Sequence, residues 1–80
     1  MSREILFAIK KDGARVRYLL EVFEEESHWT STLARLDERG EPEPGLAAPR
    51  FYGLTAEQAR RRMITLLEND YDQVMPSGQS

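Results

Sequence analysis

Residues 50–74, RFYGLTAEQARRRMITLLENDYDQV, constrain the fold more than any other stretch, because they predict a helix whose first turn can be located. Thr55 suits the N-cap position, and Gln58 can reach back to the backbone N–H of Thr55 as in a capping box. Six apolar residues follow on one stripe at helical spacing: Ala56, Ala59, Met63, Leu66, Leu67 and Val74. This stripe needs a surface to cover, and we expect the rest of the chain to supply a small sheet.

The first 25 residues predict a β-hairpin, because Asp12 and Gly13 separate two runs of alternating apolar residues. A two-residue type I′ turn at Asp12 and Gly13 places Ile9 opposite Val16. The same register gives two further apolar pairs, Phe7 with Tyr18 and Ile5 with Leu20. We expect this ladder to form the face that receives the helix.

Residues 29–36, WTSTLARL, are rich in β-forming residues and predict a third strand. Its register stays open between two alternatives. A two-residue loop before the strand places Leu33 against Leu20 on the helix side of the sheet. A loop one residue longer reverses the faces and gives two other pairs, Leu33 with Leu19 and Trp29 with Phe23.

The remaining segments complete an α+β prediction. Residues 37–49 hold three of the four prolines and predict a connecting loop, after which residues 50–52 can add a short strand. The predicted fold is an antiparallel sheet of three or four strands, in the order β-β-β-(β)-α, with one C-terminal helix packed on one face. We expect a single domain over residues 1–74 and a disordered tail over residues 75–80.

The composition excludes several kinds of chemistry. The 80-residue chain has no cysteine and one histidine, which excludes disulfides, thiolate catalysis and a zinc site of the usual nitrogen and sulfur ligands. His28 lies beside three glutamates in a predicted turn, where a solvated side chain is the simpler interpretation than a catalytic base. We therefore expect a non-enzymatic protein with no catalytic residues, metal or cofactor. No apolar run approaches the ~20 residues of a membrane span and no signal peptide is apparent, so we expect a cytoplasmic protein that does not bind membranes.

A second apolar patch is predicted on the sheet face away from the helix, and it suggests a protein partner. The residues assigned to this partner-binding patch are Leu6, Leu19, Phe23 and Trp29. Because aromatic side chains are enriched in interfaces, we expect a homodimer or a small protein partner. Coverage of the patch by loop residues Leu46, Ala47 and Ala48 is an equally weighted alternative.

Nucleic-acid binding is the competing function. The candidate basic residues lie on the hairpin and the helix: Lys10, Lys11, Arg15, Arg17, Arg60, Arg61 and Arg62. They could contact phosphates without sequence specificity. Against this, arginines that flank an apolar stripe commonly cover the edge of a core with their aliphatic stems, and Glu57 with Arg61 forms an ordinary i,i+4 pair. The net charge of -3 also favours the protein partner.

Two family resemblances concern the same helix. Residues 53–59, GLTAEQA, follow predicted strands and open the helix, which resembles the small antitoxin-type domains of the HicB class. The C-terminal half is also similar in shape to the sheet and last helix of double-stranded-RNA-binding domains. Both resemblances imply a sheet covered by a helix, and no residue role is carried over from either family.

Overall fold

The computed structural model describes residues 2–43 and 48–76. Its elements in chain order are β1 (Ser2–Ile9), β2 (Arg15–Glu25), β3 (His28–Arg35), β4 (Arg50–Gly53), α1 (Ala56–Asp70) and β5 (Gln73–Pro76). The strands form one antiparallel sheet in the order β4-β3-β2-β1-β5, and α1 packs on one face of it. The predicted α+β fold is confirmed, with five strands in place of three or four.

The β1–β2 hairpin has a three-residue loop in place of the predicted two. The N–H of Lys10 donates to the carbonyl of Ala14 at 2.8 Å, and the N–H of Gly13 donates to the carbonyl of Lys10 at 2.9 Å. Gly13 has a φ of 89°, as the left-handed third residue of such a loop requires. Ala8 is therefore the residue opposite Val16, and the predicted pairing of Val16 with Ile9 is wrong by one residue. A shift of one residue moves every side chain of β1 to the other face.

The β2–β3 hairpin has the shorter of the two loops considered from the sequence. Glu25 pairs with His28 across a loop of two residues, and Leu20 pairs with Leu33 on the helix side. Glu26, in this loop, has a φ of 45°. The consequence for Trp29 is that it packs against the core under the helix.

The start of α1 lies where the sequence predicts it, and the end of α1 does not. The Thr55 side chain accepts a hydrogen bond from the N–H of Gln58 at 3.1 Å, which confirms the N-cap, while the Gln58 side chain accepts from the N–H of Leu54 at 2.6 Å rather than from Thr55. The helix ends at Asp70, so Val74, predicted on the helical stripe, lies in β5.

The C-terminal boundary predicted at residue 74 is also wrong. Met75 and Pro76 belong to β5, which pairs with β1, so they are not part of a disordered tail. Residues 77–80, the rest of the predicted tail, lie outside the described residues. β5 was not predicted, and it makes β1 an interior strand with neighbours on both sides.

The core lies between α1 and the sheet face that α1 covers. Seven residues form its buried cluster: Leu6, Leu20, Val22, Leu33, Ala59, Met63 and Leu67. One buried polar bond also joins the two layers, because the Ser31 hydroxyl donates to the helix carbonyl of Ala59 at 2.7 Å. Gly53 lets β4 approach the first turn of α1, since a Cβ at this position would lie 2.7 Å from the backbone nitrogen of Ala59. These contacts fix which sheet face remains uncovered.

Candidate interaction surface

The outward face is the side of the sheet opposite α1, and part of it is apolar. Six large apolar side chains on β1, β2 and β5 lie on this face: Ile5, Phe7, Ile9, Leu19, Phe23 and Met75. Ile5 is 36% exposed and Met75 is 44% exposed, and the other four are partly buried. No described element packs over these six residues, which we call the apolar strip.

The structure places two of the four predicted partner-binding residues on the outward face. Leu19 and Phe23 lie in the apolar strip as expected. Leu6 and Trp29 do not, because the observed strand registers direct them to the helix side, where Leu6 is 1% exposed and Trp29 packs against the core. The other members of the strip were missed. Residues 5–9, ILFAI, are uniformly apolar, and that run is the sequence signal for a strand with two apolar faces.

The part of the outward face over β3 and β4 is polar, and several of its side chains interact with Glu25. The buried Thr30 hydroxyl donates to the Glu25 carboxylate at 2.6 Å. Arg50 and His28 place nitrogens 3.7 Å and 3.6 Å from the same oxygen. The hydrogen bond from Thr30, followed by the positive charge of Arg50, lowers the pKa of Glu25. This group holds a carboxylate in its charged form, and it provides no pair of carboxylates with separated pKa values for acid–base catalysis.

His28 belongs to this polar group. Its ring lies edge-on to Tyr52 at a centroid distance of 5.2 Å. Its Nε2 atom is buried and makes no hydrogen bond to the described residues, with the Glu25 carboxylate just beyond bonding distance. In the described ranges, no serine or threonine hydroxyl forms a hydrogen bond with the His28 ring, as the Ser–His pair of a hydrolytic triad would require.

The described residues 36–43 after β3 lie at one end of the outward face. Arg17 donates to the backbone carbonyls of Asp37 and Glu38 at 3.1 and 3.2 Å, and Leu36 bridges to Pro42. These contacts hold residues 36–42 beside the hairpin end of β2.

The predicted loop coverage of the apolar patch finds no support in its described member. Ala48 lines a cleft of about 320 Å³ on the helix side of the sheet, together with Pro49 and Leu66. Leu46 and Ala47, the other two residues expected to cover the patch, lie outside the described residues.

Tyr18 and Tyr71 also line this cleft. The hydroxyls of Tyr18 and Tyr71 are 2.7 Å apart, and their rings meet edge to face at 6.0 Å. Burial, together with the hydrogen bond to Tyr71, raises the pKa of the Tyr18 phenol. The hydrogen bond joins β2 to the residue that ends α1.

The basic residues proposed for nucleic-acid binding do not form one patch. Arg60 makes a two-pronged ion pair with Glu4 at 2.6 and 3.2 Å, and this hydrogen bond raises the pKa of Arg60. Lys10 and Lys11 lie at the far end of β1, about 20 Å from Glu4 at the usual rise per residue. There they border the acidic end of α1 at residues 68–72.

The other basic residues are also separated. Arg61 lies 3.9 Å from Glu57, as the i,i+4 spacing predicts, and Arg62 is exposed on the helix. Arg15 and Arg17 lie on the opposite layer, on the outward face of β2. Phosphate binding by these residues stays a prediction, and the ion pair of Arg60 and the wide separation do not favour it.

No family model matches this chain, and neither a curated protein nor a solved structure is significantly similar to it. The resemblances to HicB-class domains and to double-stranded-RNA-binding domains therefore gain no support. Among the described residues, no three potential ligands from His, Cys, Asp and Glu are grouped to hold a metal ion. None of the helical segments in those ranges has the length and apolar character needed to cross a membrane.

Proposed function

We propose that this protein is a small, non-enzymatic interaction module that self-associates through the outward face of its sheet. The observation that supports this proposal is the apolar strip. In an antiparallel sheet with one solvent-exposed face, apolar and polar residues normally alternate along each strand. In β1, by contrast, both faces carry apolar residues. Burial against a second copy would remove the strip from water, which is the main driving force of protein association.

The size of the sheet limits the area that a dimer can bury. Five strands about 4.8 Å apart, with roughly seven residues of about 3.3 Å each in the longer strands, give a face of roughly 550 Å². Two such faces would bury roughly 1,100 Å², close to the lower limit for specific interfaces. We therefore expect a weak dimer whose population depends on protein concentration.

The test is the solution mass of the protein measured by size exclusion with light scattering over a range of concentrations. Phe23→Glu and Ile5→Glu should each shift the protein to the monomer, because a charge on the strip would be buried without a partner. Ile5 is already 36% exposed, so its replacement should leave the fold intact. Leu54→Glu is the matched control, since Leu54 is 80% exposed and lies between β4 and α1, away from the strip.

The outcomes separate clearly. Dimer that survives high salt in the wild type and in the Leu54 variant, but is lost in both strip variants, would support the proposal. A wild type that stays monomeric up to millimolar concentration would refute self-association. Equal loss of dimer in all three variants would show that the association does not use the strip.

A further inference from the structure

The sulfur atoms of this chain all belong to its three methionines, because the sequence contains no cysteine. Met63 is buried between α1 and the sheet, with 0% of its surface exposed. Met75, by contrast, is 44% exposed on the outward face, and Met1 lies outside the described residues. Peroxides convert the thioether of methionine to a sulfoxide, so the fold protects Met63 from this reaction and leaves Met75 accessible to it.

Met75 lies where a change of polarity would alter the apolar strip. It belongs to β5, an edge strand of the sheet, and pairs directly with Phe7 of β1. Side chains at directly opposed positions of two antiparallel strands lie on the same face, with Cβ atoms about 5 Å apart. The neighbours of Phe7 on that face of β1 are Ile5 and Ile9, so Met75 borders the middle of the strip.

We propose that Met75 is an oxidation site through which hydrogen peroxide dissociates the self-associated protein. A lone pair of the Met75 sulfur attacks one peroxide oxygen, and the O–O bond breaks. The proton on the attacked oxygen joins the departing hydroxide to form water, so that the sulfur is oxidised to a sulfoxide and the peroxide is reduced. The selectivity of this oxidation follows from exposure, whereas its effect on association rests on the proposed function.

The sulfoxide opposes association because it places a polar oxygen in an apolar contact. In the free protein this oxygen can bond to water, since Met75 lies on the outward face, and the fold tolerates the change. Between two apolar strips the oxygen would lose that water, and burial of an unpaired polar group is unfavourable. A two-fold dimer contains the modified residue twice. Methionine sulfoxide reductases restore the thioether, so the effect is reversible.

Limited treatment with hydrogen peroxide, followed by peptide mapping in a mass spectrometer, measures the oxidation of each methionine. Met75 should be oxidised at least about tenfold faster than Met63, and more slowly at protein concentrations at which the dimer buries it. In sedimentation equilibrium, the oxidised protein should dimerise at least about tenfold more weakly than the untreated protein. Met75→Leu is the matched control, because leucine has a similar volume and no sulfur. Its dimer should form as in wild type and should persist after the same treatment.

The outcomes distinguish this proposal from the proposed function. Selective oxidation of Met75 that weakens the wild-type dimer, and leaves the Met75→Leu dimer unchanged, would support the oxidation site and its effect. Oxidation of Met75 no faster than that of Met63, or a sulfoxide form that dimerises as well as the untreated protein, would overturn the proposal and leave self-association standing. Equal weakening of wild type and Met75→Leu would overturn Met75 as the residue responsible. A wild type that is monomeric before treatment would overturn the proposed function itself.

Discussion

Replacement of Gly53 by alanine should destabilise the protein by about 1–2 kcal/mol, although the change adds a single methyl group. The new Cβ would lie 2.7 Å from the backbone nitrogen of Ala59 and 3.0 Å from the Cβ of Gln58. Relief requires β4 and α1 to separate by about 0.7 Å, the difference between 2.7 Å and the 3.4 Å at which ordinary contact begins. Overpacking of this kind lowers the unfolding free energy by about 1–3 kcal/mol. Alanine offsets about 0.4–1 kcal/mol of this loss, because it reduces the conformational entropy of the unfolded chain relative to glycine.

Thermal unfolding followed by circular dichroism measures this effect. For a domain of this size the loss corresponds to a midpoint lowered by roughly 5–15 °C. Leu54→Ala is the control, since Leu54 follows Gly53 directly in the chain and is 80% exposed, so that its side chain has little packing to lose. A Gly53→Ala variant at least as stable as wild type would show that β4 and α1 do not approach as closely as the structure places them.

Two further predictions concern buried hydroxyls of β3. Ser31→Ala should lower the unfolding free energy by about 1 kcal/mol, because it removes the buried bond to Ala59, and an unchanged urea midpoint would contradict that role. Thr30→Val should raise the pKa of Glu25, measured by NMR titration, because the bond that lowers this pKa most is lost. A carboxyl group whose pKa is lowered in the folded protein stabilises the fold at pH values above its ordinary pKa of 4.5, and this stabilisation is lost as the pH falls through the folded pKa. The difference in unfolding free energy between Thr30→Val and wild type should therefore shrink below pH 4.5. A difference independent of pH between 3 and 7 would contradict the account.

The helix start could be predicted because its signal is local. Thr55 and Gln58 are three residues apart, and their capping contacts depend on no other part of the chain. The helix end carries no such signal: Tyr71, in extended conformation, ends α1 without glycine. The four-residue strand β5 is stabilised by its pairing with β1, a long-range contact that the apolar pattern of residues 73–76 does not reveal.

The hairpin register could not be predicted because two turns fit the same sequence. Lys11, Asp12 and Gly13 suit a three-residue loop with a left-handed glycine as well as a two-residue loop. Side-chain pattern usually decides between such registers, but residues 5–9 are apolar at every position, so either face of β1 could have been buried. Leu19 was placed correctly on the outward face because β2 alternates clearly, whereas Leu6 was exchanged with Ile5 by the one-residue shift.

The contrast between β1 and β3 supports the proposed interface independently of the register error. On the outward face β3 presents Thr30 and Thr32, and Thr30 is satisfied by Glu25 within the same copy. β1 presents Ile5, Phe7 and Ile9 on that face, with no described element over them. A sheet that only faced water would need no such difference between its two halves. Self-association through the β1 half would use the difference, because it would bury the apolar strip and leave the polar half of the face at the rim of the interface.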